Sequence, residues 1–355
     1  MAPVHVLLAE ESHSTGHYLA AAAKAVGFPV SLDSRGCELP AMGRGDLLFY
    51  VDPGPRRLPI GIDLVQCARA AYLIDVHQDL QSRIDLAPLF DVLFVAQRDY
   101  VDEFRRRGYL NTRWLPFGCD PGVHYVPGLT RDIDVGFVGK LGAAGTPRHA
   151  LLTSVLPRFR TNEFRRFYKP TEMGEVYSRS KIVLNASING DVNMRVFEAM
   201  AAGALLVTDR IGNGLADLFV EGEHYVGYSS GQEALDRVAY FLNNTSAREK
   251  IAQTGRALVW ARHTYAHRWA ELKAAARRNG EIGRGSMPAL SPQEMRLAYA
   301  RILETRRDPA GLLRLMKREG ISLQLGAHLM RAIGRAINAR VPITPNAIRA
   351  RIKAR

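Results

Sequence analysis

The stretch KIVLNASINGDVNMRVFEAMAAGALLVTD, residues 181–209, contains a complete strand–loop–helix–strand unit. It opens and closes with apolar runs of strand length, residues 181–187 and 204–209. The small side chains of AMAAG, residues 199–203, make the intervening helix slim enough for close packing. Strands connected through a helix are parallel, and apolar runs without alternation indicate a sheet that is covered on both faces. The stretch therefore predicts a doubly wound α/β domain.

The same unit recurs along most of the chain. Apolar runs alternate with helical patterns such as Tyr18–Val26 and Arg98–Arg107, and Gly27 and Gly108 stand where C-terminal helix caps would fall. The predicted strands are VHVLLA (4–9), FPVSL (28–32), DLLFYV (46–51), AYLIDV (71–76), DVLFVAQ (91–97), TRWLPFG (112–118), IDVGFVG (133–139), FRRFYK (164–169), KIVLNAS (181–187), ALLVTD (204–209) and YVGYSS (225–230).

The strand–helix cycle restarts after a loop at residues 121–128 that contains proline and glycine. This restart predicts two Rossmann-like domains, residues 1–128 and 129–283, and one larger sheet is the alternative. The second domain ends in residues 231–278, whose pattern is almost wholly helical. No strand pattern follows, so residues 284–355 are predicted to form a helical extension.

Composition excludes several classes of protein. Hydrophobic residues make up 47% of the 355 residues, which is enough for sizeable cores. No apolar run approaches the ~18 residues that span a bilayer, and the N-terminus lacks the basic region of a secretory signal. The three cysteines are widely spaced and odd in number, which argues against a disulfide framework or a structural zinc site. We therefore expect a cytoplasmic protein.

The net charge of +13 suggests an anionic partner, but it is distributed unevenly. Residues 284–355 contain 15 basic and 4 acidic residues, a net +11, which leaves +2 for residues 1–283. No nucleic-acid-binding motif accompanies this charge.

Three helix starts are predicted in the extension at Ser291-Pro292, Asp308-Pro309 and Thr344-Pro345, the first with a capping box to Glu294. Within residues 321–341, an apolar face lies opposite a polar face with Arg331, Arg335 and Asn338. The members of the apolar face are Leu325, Leu329, Met330, Ile333 and Ile337. This face is predicted either to bind an anionic membrane or acidic partner, or to pack on the two domains or a second subunit.

Two segments contain residues suited to binding phosphate. In GFVGKLGAAGTPRHALL, residues 136–152, Gly139, Gly142 and Gly145 lie between a strand and a helix start, where backbone amides and Lys140 or Arg148 could hold phosphates. An ordinary strand–helix connection explains the same glycines.

The second segment is the helix that follows Asn189-Gly190-Asp191. It carries Asn193, Arg195 and Glu198, so that its N-terminus and a forked guanidinium could bind an anion, while a carboxylate one turn inside could bind ribose hydroxyls. The alternative is an ion pair between Arg195 and Glu198 on a solvated face.

The second segment resembles the donor-binding signature of GT-B glycosyltransferases, most closely the CgeB-like spore-maturation group, which is related to the group 1 retaining transferases. RVFEAMAAGALLVTD is the specific part. Further similarity lies in YLIDVHQDLQSR (72–83), FVAQRDYVDEFRRRGYLNTRWLPFGCDPGVH (94–124) and HTYAHRWAEL (263–272), so the resemblance covers about residues 70–275.

This resemblance implies two Rossmann-like domains facing across a cleft, with the acceptor on the first and a nucleotide-sugar donor on the second. Glu198 would hold the donor ribose, and Arg195 with Arg148 or Lys140 would hold the pyrophosphate. The loop residues around Tyr168–Glu172, including Lys169, would face the base. Gly139 and Asn193 complete the predicted donor site. No metal cofactor is implied, because basic side chains and helix N-termini stabilise the leaving diphosphate; the acids of Asp132-Ile133-Asp134 are interpreted as structural.

One position departs from the broader retaining group, which has Glu-x7-Glu. Gly190 stands where the first glutamate is expected, with Asp191 beside it as a substitute. An inverting mechanism would instead need a base in the first domain. Its candidates are His77, Asp75, Asp79, His13 and His17.

The resulting prediction is a glycosyltransferase acting on a glycan, lipid or protein acceptor. The alternatives are a catalytically inactive nucleotide-binding or scaffold protein that docks a partner through its basic tail, or another nucleotide-sugar enzyme such as an epimerase. Peripheral membrane or homo-oligomer contacts would involve residues 284–355.

Overall fold

A computed structural model describes residues 4–8, 15–33, 46–52, 61–62, 64–65, 67–278, 291–305, 307–320 and 322–340, together with residues 39, 42 and 43. In these residues the strands form two separate parallel sheets rather than one larger sheet.

The first sheet has six parallel strands in the order β2-β1-β3-β4-β5-β6. They are β1 (Val4–Leu8), β2 (Val30–Asp33), β3 (Leu47–Asp52), β4 (Ala68–Leu73), β5 (Val92–Val95) and β6 (Thr112–Trp114). Every residue of β4 and β5 is buried. This confirms the prediction, made from uninterrupted apolar runs, that the sheet is covered on both faces.

The second sheet has four parallel strands in the order β10-β9-β8-β7. They are β7 (Ile133–Gly136), β8 (Ser180–Asn185), β9 (Leu205–Asp209) and β10 (Val226–Tyr228). The prediction of a further strand at 164–169 was wrong, because this segment forms turns and loop. Phe167 is 85% exposed, so the aromatic side chain of this segment does not pack against the sheet.

Fourteen α-helices surround the sheets within the described ranges. They are α1 (Thr15–Ala25), α2 (Leu80–Leu86), α3 (Val101–Arg106), α4 (Pro121–His124), α5 (Pro147–Val155), α6 (Pro170–Arg179), α7 (Met194–Ala201), α8 (Leu215–Leu218), α9 (Gly231–Asn243), α10 (Thr245–Arg262), α11 (Tyr265–Arg278), α12 (Pro292–Thr305), α13 (Pro309–Glu319) and α14 (Leu323–Arg340). Gly27 and Gly108 follow α1 and α3 with φ of 80° and 91°, the left-handed conformation expected of C-terminal caps.

Helix α11 connects the end of the second domain to the first. Its Tyr265 stacks on Tyr18 of α1 with ring centroids 5.0 Å apart, and Trp269 meets Phe28 edge to face. These rings belong to a core that also includes Phe197 of α7. Because one apolar core includes residues of both sheets, the domains are packed against each other and a cleft remains at one side.

The extension is helical, as predicted, and two of its three predicted starts are confirmed. Ser291 and Glu294 form the capping box, and the Asp308 side chain accepts the Gly311 N–H at 2.9 Å. Thr344-Pro345 lies outside the described residues. None of the helices described here is long and apolar enough to cross a membrane.

The extension packs on the first domain rather than projecting from it. Helix α12 contacts α2, and α14 contacts α12 and α13. Tyr299 and Leu303 of α12 share a core with Tyr50 and Phe90 of the first sheet and its loops. Intramolecular packing, one of the two predicted alternatives for the extension, therefore accounts for its inner surface.

Candidate active site

A cleft of about 390 Å³ lies between the two domains. Its walls are built mainly by loops that follow the carboxyl ends of strands in both sheets, where ligands of open α/β sheets bind. The lining residues are Ile74, Asp75, His77, Gln78 and Phe117 from the first domain, and Lys140, Arg148, Ile188, Asp191, Asn193, Met194, Arg195 and Glu198 from the second.

Arg195 is held rigidly in the floor of this cleft. Its Nε and Nη2 donate to the Val138 carbonyl at 3.1 and 2.6 Å, and its Nη1 donates to Asn185 Oδ1 at 2.6 Å. Asn193 Nδ2 donates to the same Asn185 oxygen at 3.1 Å. A guanidinium has five N–H groups, so one on each terminal nitrogen of Arg195 is left to donate to a ligand.

Arg148 and Arg195 place two positive charges close together. Both guanidinium groups lie against the Phe137 ring, with their carbons 5.7 and 4.5 Å from its centroid. Burial, reinforced by repulsion from Arg195, lowers the pKa of Arg148 to about 10. Arg148 Nη1 is buried and has no hydrogen-bond partner among the described residues. Asp209 and Asp191 raise the pKa of Arg148 only in part, and neither arginine forms an ion pair at contact distance among the described residues. The pair therefore suits an anionic group in the cleft.

Glu198 lies beside these cations, but its carboxyl group is buried. Its residue is 5% exposed, and burial raises the pKa to about 7 although Arg195 opposes the shift. No ion pair joins Arg195 and Glu198 within the described chain, and both are buried. The alternative interpretation of a solvated i,i+3 pair is therefore wrong, because helix α7 turns this face into the cleft.

His124 was not predicted as a site residue, yet it faces Glu198. Its Nε2 lies 3.8 Å from Glu198 Oε1, and its Nδ1 accepts the Asp120 backbone N–H at 3.0 Å. That hydrogen bond leaves the proton on Nε2, and complete burial lowers the pKa of His124 to about 4, so the ring is neutral. His124 thus directs a neutral N–H towards the carboxyl group.

Across the cleft from the cations, Asp75 and His77 of the first domain meet Asp191 of the second. One potential ligand atom from each lies within 4.8 Å of the others. His77 Nδ1 and Asp191 Oδ1 are buried and have no hydrogen-bond partner in the part of the chain described. Burial is the largest influence on Asp191 and raises its pKa, while His77 opposes that shift. His77 and Asp191 can act as a proton-transfer pair, with Asp75 as a neighbouring acid. Alternatively, the three side chains could hold a metal ion.

A hydrogen bond to a neighbouring loop holds the loop that carries His77. Asp75 has a left-handed backbone with φ of 52°, and the Val76 N–H donates to Gln97 Oε1 at 3.3 Å. Asp79, another predicted base, caps α2 by accepting the Ser82 N–H at 3.1 Å and does not line the cleft.

The structure does not bring the remaining predicted residues into the cleft lining. Gly139 instead makes room for Arg195, since a Cβ there would collide with the guanidinium. Tyr168 borders a different pocket, where Arg166 stacks on its ring at 4.8 Å, and Lys169 is the N-cap of α6. His17 lies in the first turn of α1 outside the lining, and His13 lies outside the described residues.

The acids of Asp132-Ile133-Asp134 are occupied by ion pairs. Asp132 binds Arg179 and Asp134 binds Lys181, each at 2.6 Å. This pairing agrees with their interpretation as structural residues.

Two contacts that join the domains were not predicted from the sequence. Asn213 Oδ1 accepts the Asp99 N–H at 3.0 Å, and Arg98 pairs with Asp217 at 2.7 Å. These residues lie in loops and short helices, where no local pattern predicts a partner from another domain.

The structural comparisons identify similar folds at low sequence identity. HepE from Anabaena in complex with UDP has 13% identity and a TM-score of 0.56, and the match covers 78% of this chain and 100% of HepE. A glycosyltransferase from Rickettsia africae has 10% identity and a TM-score of 0.55, with 79% and 98% covered. Sucrose-phosphate synthase from Thermosynechococcus elongatus has 11% identity and a TM-score of 0.51, with 80% and 100% covered.

The sequence comparisons are more restricted. A search of curated proteins found no match. The family model described as "Glycosyl transferase-like" matches residues 132–274, which include β7 to β10 and the cationic side of the cleft. The chain therefore has the GT-B fold, and its residues 132–274 match the glycosyl transferase-like family.

Proposed function

We propose that this protein is a glycosyltransferase that moves a sugar from a nucleoside diphosphate sugar to a nucleophile on a glycan, lipid or protein acceptor. The proposal rests on the different side chains on the two sides of the cleft, with cations on one side and candidate bases on the other. Arg148, Arg195 and Glu198 lie on the side that matches the glycosyl transferase-like family, and Asp75 and His77 lie opposite.

The donor side fits a nucleoside diphosphate. Arg148 and Arg195 would bind the diphosphate oxygens, and the exposed Lys140 also lines this side of the cleft. Glu198 lies one helical turn from Arg195 and would accept hydrogen bonds from the ribose hydroxyls. The neighbour HepE has been crystallised with UDP, with UDP and glucose, and with UDP-glucose, which supports testing uridine donors first.

The acceptor side supplies a base. In the proposed step the acceptor hydroxyl attacks the anomeric carbon, and its proton passes to His77 as the new C–O bond forms. The bond from that carbon to the diphosphate oxygen breaks, and Arg148 and Arg195 take up the charge of the leaving nucleoside diphosphate. Asp191 would orient His77 and stabilise the imidazolium.

Finer assignments belong to the same proposal. We propose a hexosyl- or related transferase of the CgeB-like group that acts in the cytoplasm. Its acceptor domain would comprise residues 1–128 and its donor domain residues 129–283.

A nucleotide-sugar panel tests the donor assignment. We expect at least one of the UDP-, GDP- and dTDP-linked sugars to raise the melting temperature, because a ligand that binds only the folded state stabilises it by mass action. CMP-linked sugars, which carry a single phosphate, serve as the monophosphate comparison. Adenosine diphosphate sugars serve as a further comparison. Absence of both binding and sugar release for every donor, with and without candidate acceptors, would contradict the proposal.

Activity is expected to survive removal of divalent cations. The basic side chains on the donor side would neutralise the diphosphate, so transfer measured after dialysis against EDTA should equal transfer with added Mg²⁺ or Mn²⁺. A loss that only a metal restores would contradict metal-independent transfer, and Asp75, His77 and Asp191 would then be the ligands to test by substitution.

The second candidate function is a nucleotide-binding scaffold without catalysis. Gly190, which has no side chain where the broader retaining group has an acid, favours this candidate. Nucleotide-sugar binding without transfer or hydrolysis, across a broad acceptor panel, would support it. An epimerase would convert the donor sugar when no acceptor is present, which product analysis detects.

A further inference from the structure

Helix α14 has two apolar faces, and the structure separates them. Leu325 is 6% exposed and Ala332 is fully buried against the core that the extension shares with the first domain. Leu329 is partly buried in the same core. The single apolar face predicted for this segment was therefore wrong in part, because Met330 and Ile337 lie outside it.

The opposite face of α14 remains uncovered in the described chain. Leu323, Met330 and Ile337 are 96%, 68% and 58% exposed. They are spaced by seven residues, which is close to two helical turns, so they form one line along the helix. We call these three residues the outer stripe. Leu313 of the neighbouring α13 is 54% exposed as well.

The acids of the extension are already occupied. Glu304 binds His328, Arg331 and Arg335 at 2.6, 3.0 and 3.1 Å. Glu319 pairs with Arg296 and Arg318, while Asp308 and Glu294 cap helices.

The positive charge of the extension therefore exceeds what its own acids can neutralise. Its net charge is +11, and the sequence of residues 341–355 contains four basic residues and no acid.

This charge decides between two occupants of the outer stripe. A second copy of the chain would place another +11 extension against the first, and like charges repel. An anionic lipid surface attracts basic segments and accepts exposed apolar side chains at the boundary between headgroups and acyl chains.

We propose that the outer stripe of α14, together with the net positive charge of the extension, docks the protein on an anionic lipid surface. Binding of this kind is peripheral, since the side chains enter the headgroup region while the helix lies along the membrane. It would hold the first domain, on which the extension packs, close to the surface. The inference does not depend on the activity proposed for the cleft.

Vesicle co-sedimentation of the 355-residue protein tests this proposal. We expect binding to vesicles of phosphatidylcholine and phosphatidylglycerol in equal parts, and little binding to phosphatidylcholine alone. Because surface electrostatics are screened by salt, binding should fall as salt is raised from about 0.05 M to 0.5 M. The double substitution Leu323→Glu and Met330→Glu is expected to weaken binding by about tenfold or more, since it adds charge and removes apolar area.

The matched control is the double substitution Val220→Glu and Tyr240→Glu, which introduces the same two charges at residues of the second domain that are 51% and 54% exposed. It should leave vesicle binding unchanged, and all variants should keep the melting temperature of the unmodified protein. Equal binding to both vesicle types, no binding to either, or full binding by the double variant would overturn the proposal. Dimerisation in solution that the double variant abolishes would assign the stripe to a second copy and overturn it too.

Discussion

Replacement of Glu198 by glutamine is expected to weaken nucleoside diphosphate binding by about tenfold to hundredfold, the effect of losing a charged hydrogen-bond acceptor. An ionised carboxylate can accept hydrogen bonds from two ribose hydroxyls, whereas an amide offers one acceptor oxygen and two donors. Calorimetric titration with UDP, or with the nucleotide that the panel identifies, measures the change. Undiminished affinity would contradict the role of Glu198.

The same substitution is expected to stabilise the protein at alkaline pH. Burial raises the pKa of Glu198 from 4.5 to about 7, so between these values the folded state keeps a proton that the unfolded state has released. The free energy of unfolding therefore falls as pH rises through this range and levels off above about 7. A shift from 4.5 to about 7 corresponds to about 3 kcal/mol.

Because glutamine cannot ionise, thermal unfolding should show a higher melting temperature for Glu198→Gln than for the unmodified protein at pH 8, and little difference at pH 4. The matched control is Glu249→Gln on α10, whose side chain is 57% exposed. It removes the same charge from the second domain but should change neither nucleotide affinity nor the pH dependence of stability. A lower melting temperature of Glu198→Gln at pH 4 would show that the variant is misfolded, whereas equal melting temperatures at pH 8 would contradict the raised pKa of Glu198.

Nucleotide affinity should also depend on pH through this carboxyl group. The ionised form accepts hydroxyl hydrogen bonds, so affinity should increase as pH rises through about 7, and Glu198→Gln should lose that increase. His124 is neutral across this range because burial lowers its pKa to about 4, and therefore it does not contribute the titration.

Most of the fold could be predicted because its signals are local. Ten of the eleven predicted runs correspond to the ten strands of the described residues. Glycines with positive φ follow α1 and α3 where C-terminal caps were expected. The exception, 164–169, looked like a strand, but a run of residues does not reveal whether a partner strand is within reach. The exposed side chain of Phe167 shows that an apolar residue in such a run need not be buried.

The site could be predicted only where neighbours in sequence share a face. Asn193, Arg195 and Glu198 lie within two turns of one helix, so their common direction follows from helical spacing. The contact between His124 and Glu198 joins two separate helices, and the sequence around His124 gives little indication of it. Asp120, which precedes a proline and lies four residues before the histidine, predicts a helix start there but not the group that the ring will face.

Packing also gives residues uses that spacing does not reveal. Phe137 holds Arg148 and Arg195 near each other, although a phenylalanine at the end of a strand is usually interpreted as core. Likewise, Gly139 was predicted to let a ligand approach the backbone, whereas the structure shows it accommodating a guanidinium. Such roles depend on the positions of side chains from other elements, which sequence spacing alone does not provide.

Replacement of His77 by alanine is expected to reduce kcat by about 10²- to 10⁴-fold, the usual contribution of a general base. Donor affinity should change little, because the donor contacts proposed above lie on the opposite wall of the cleft. Steady-state kinetics with saturating donor, together with donor titration, separate the two quantities. His328→Gln, which changes a histidine of the extension, is the matched control and should retain full activity.

Asp191→Asn should also lower kcat, and the double variant should be little worse than His77→Ala alone. Residues that act as a unit have strongly non-additive effects, and one ligand atom of His77 lies within 4.8 Å of one of Asp191. Fully additive losses would argue that the two side chains act separately. An unchanged kcat in either single variant would remove that residue from the proposed mechanism.

The configuration of the product provides an independent test of the same pair. Direct attack by an acceptor that His77 deprotonates must displace the diphosphate from the opposite face of the sugar, so the anomeric configuration inverts. Nuclear magnetic resonance of the product measures this configuration. Retention would require a different route, in which Asp191 takes the place of the acid missing at Gly190 beside the sugar. Inversion together with loss of kcat in His77→Ala therefore supports the base, whereas retention overturns it even if both variants are inactive.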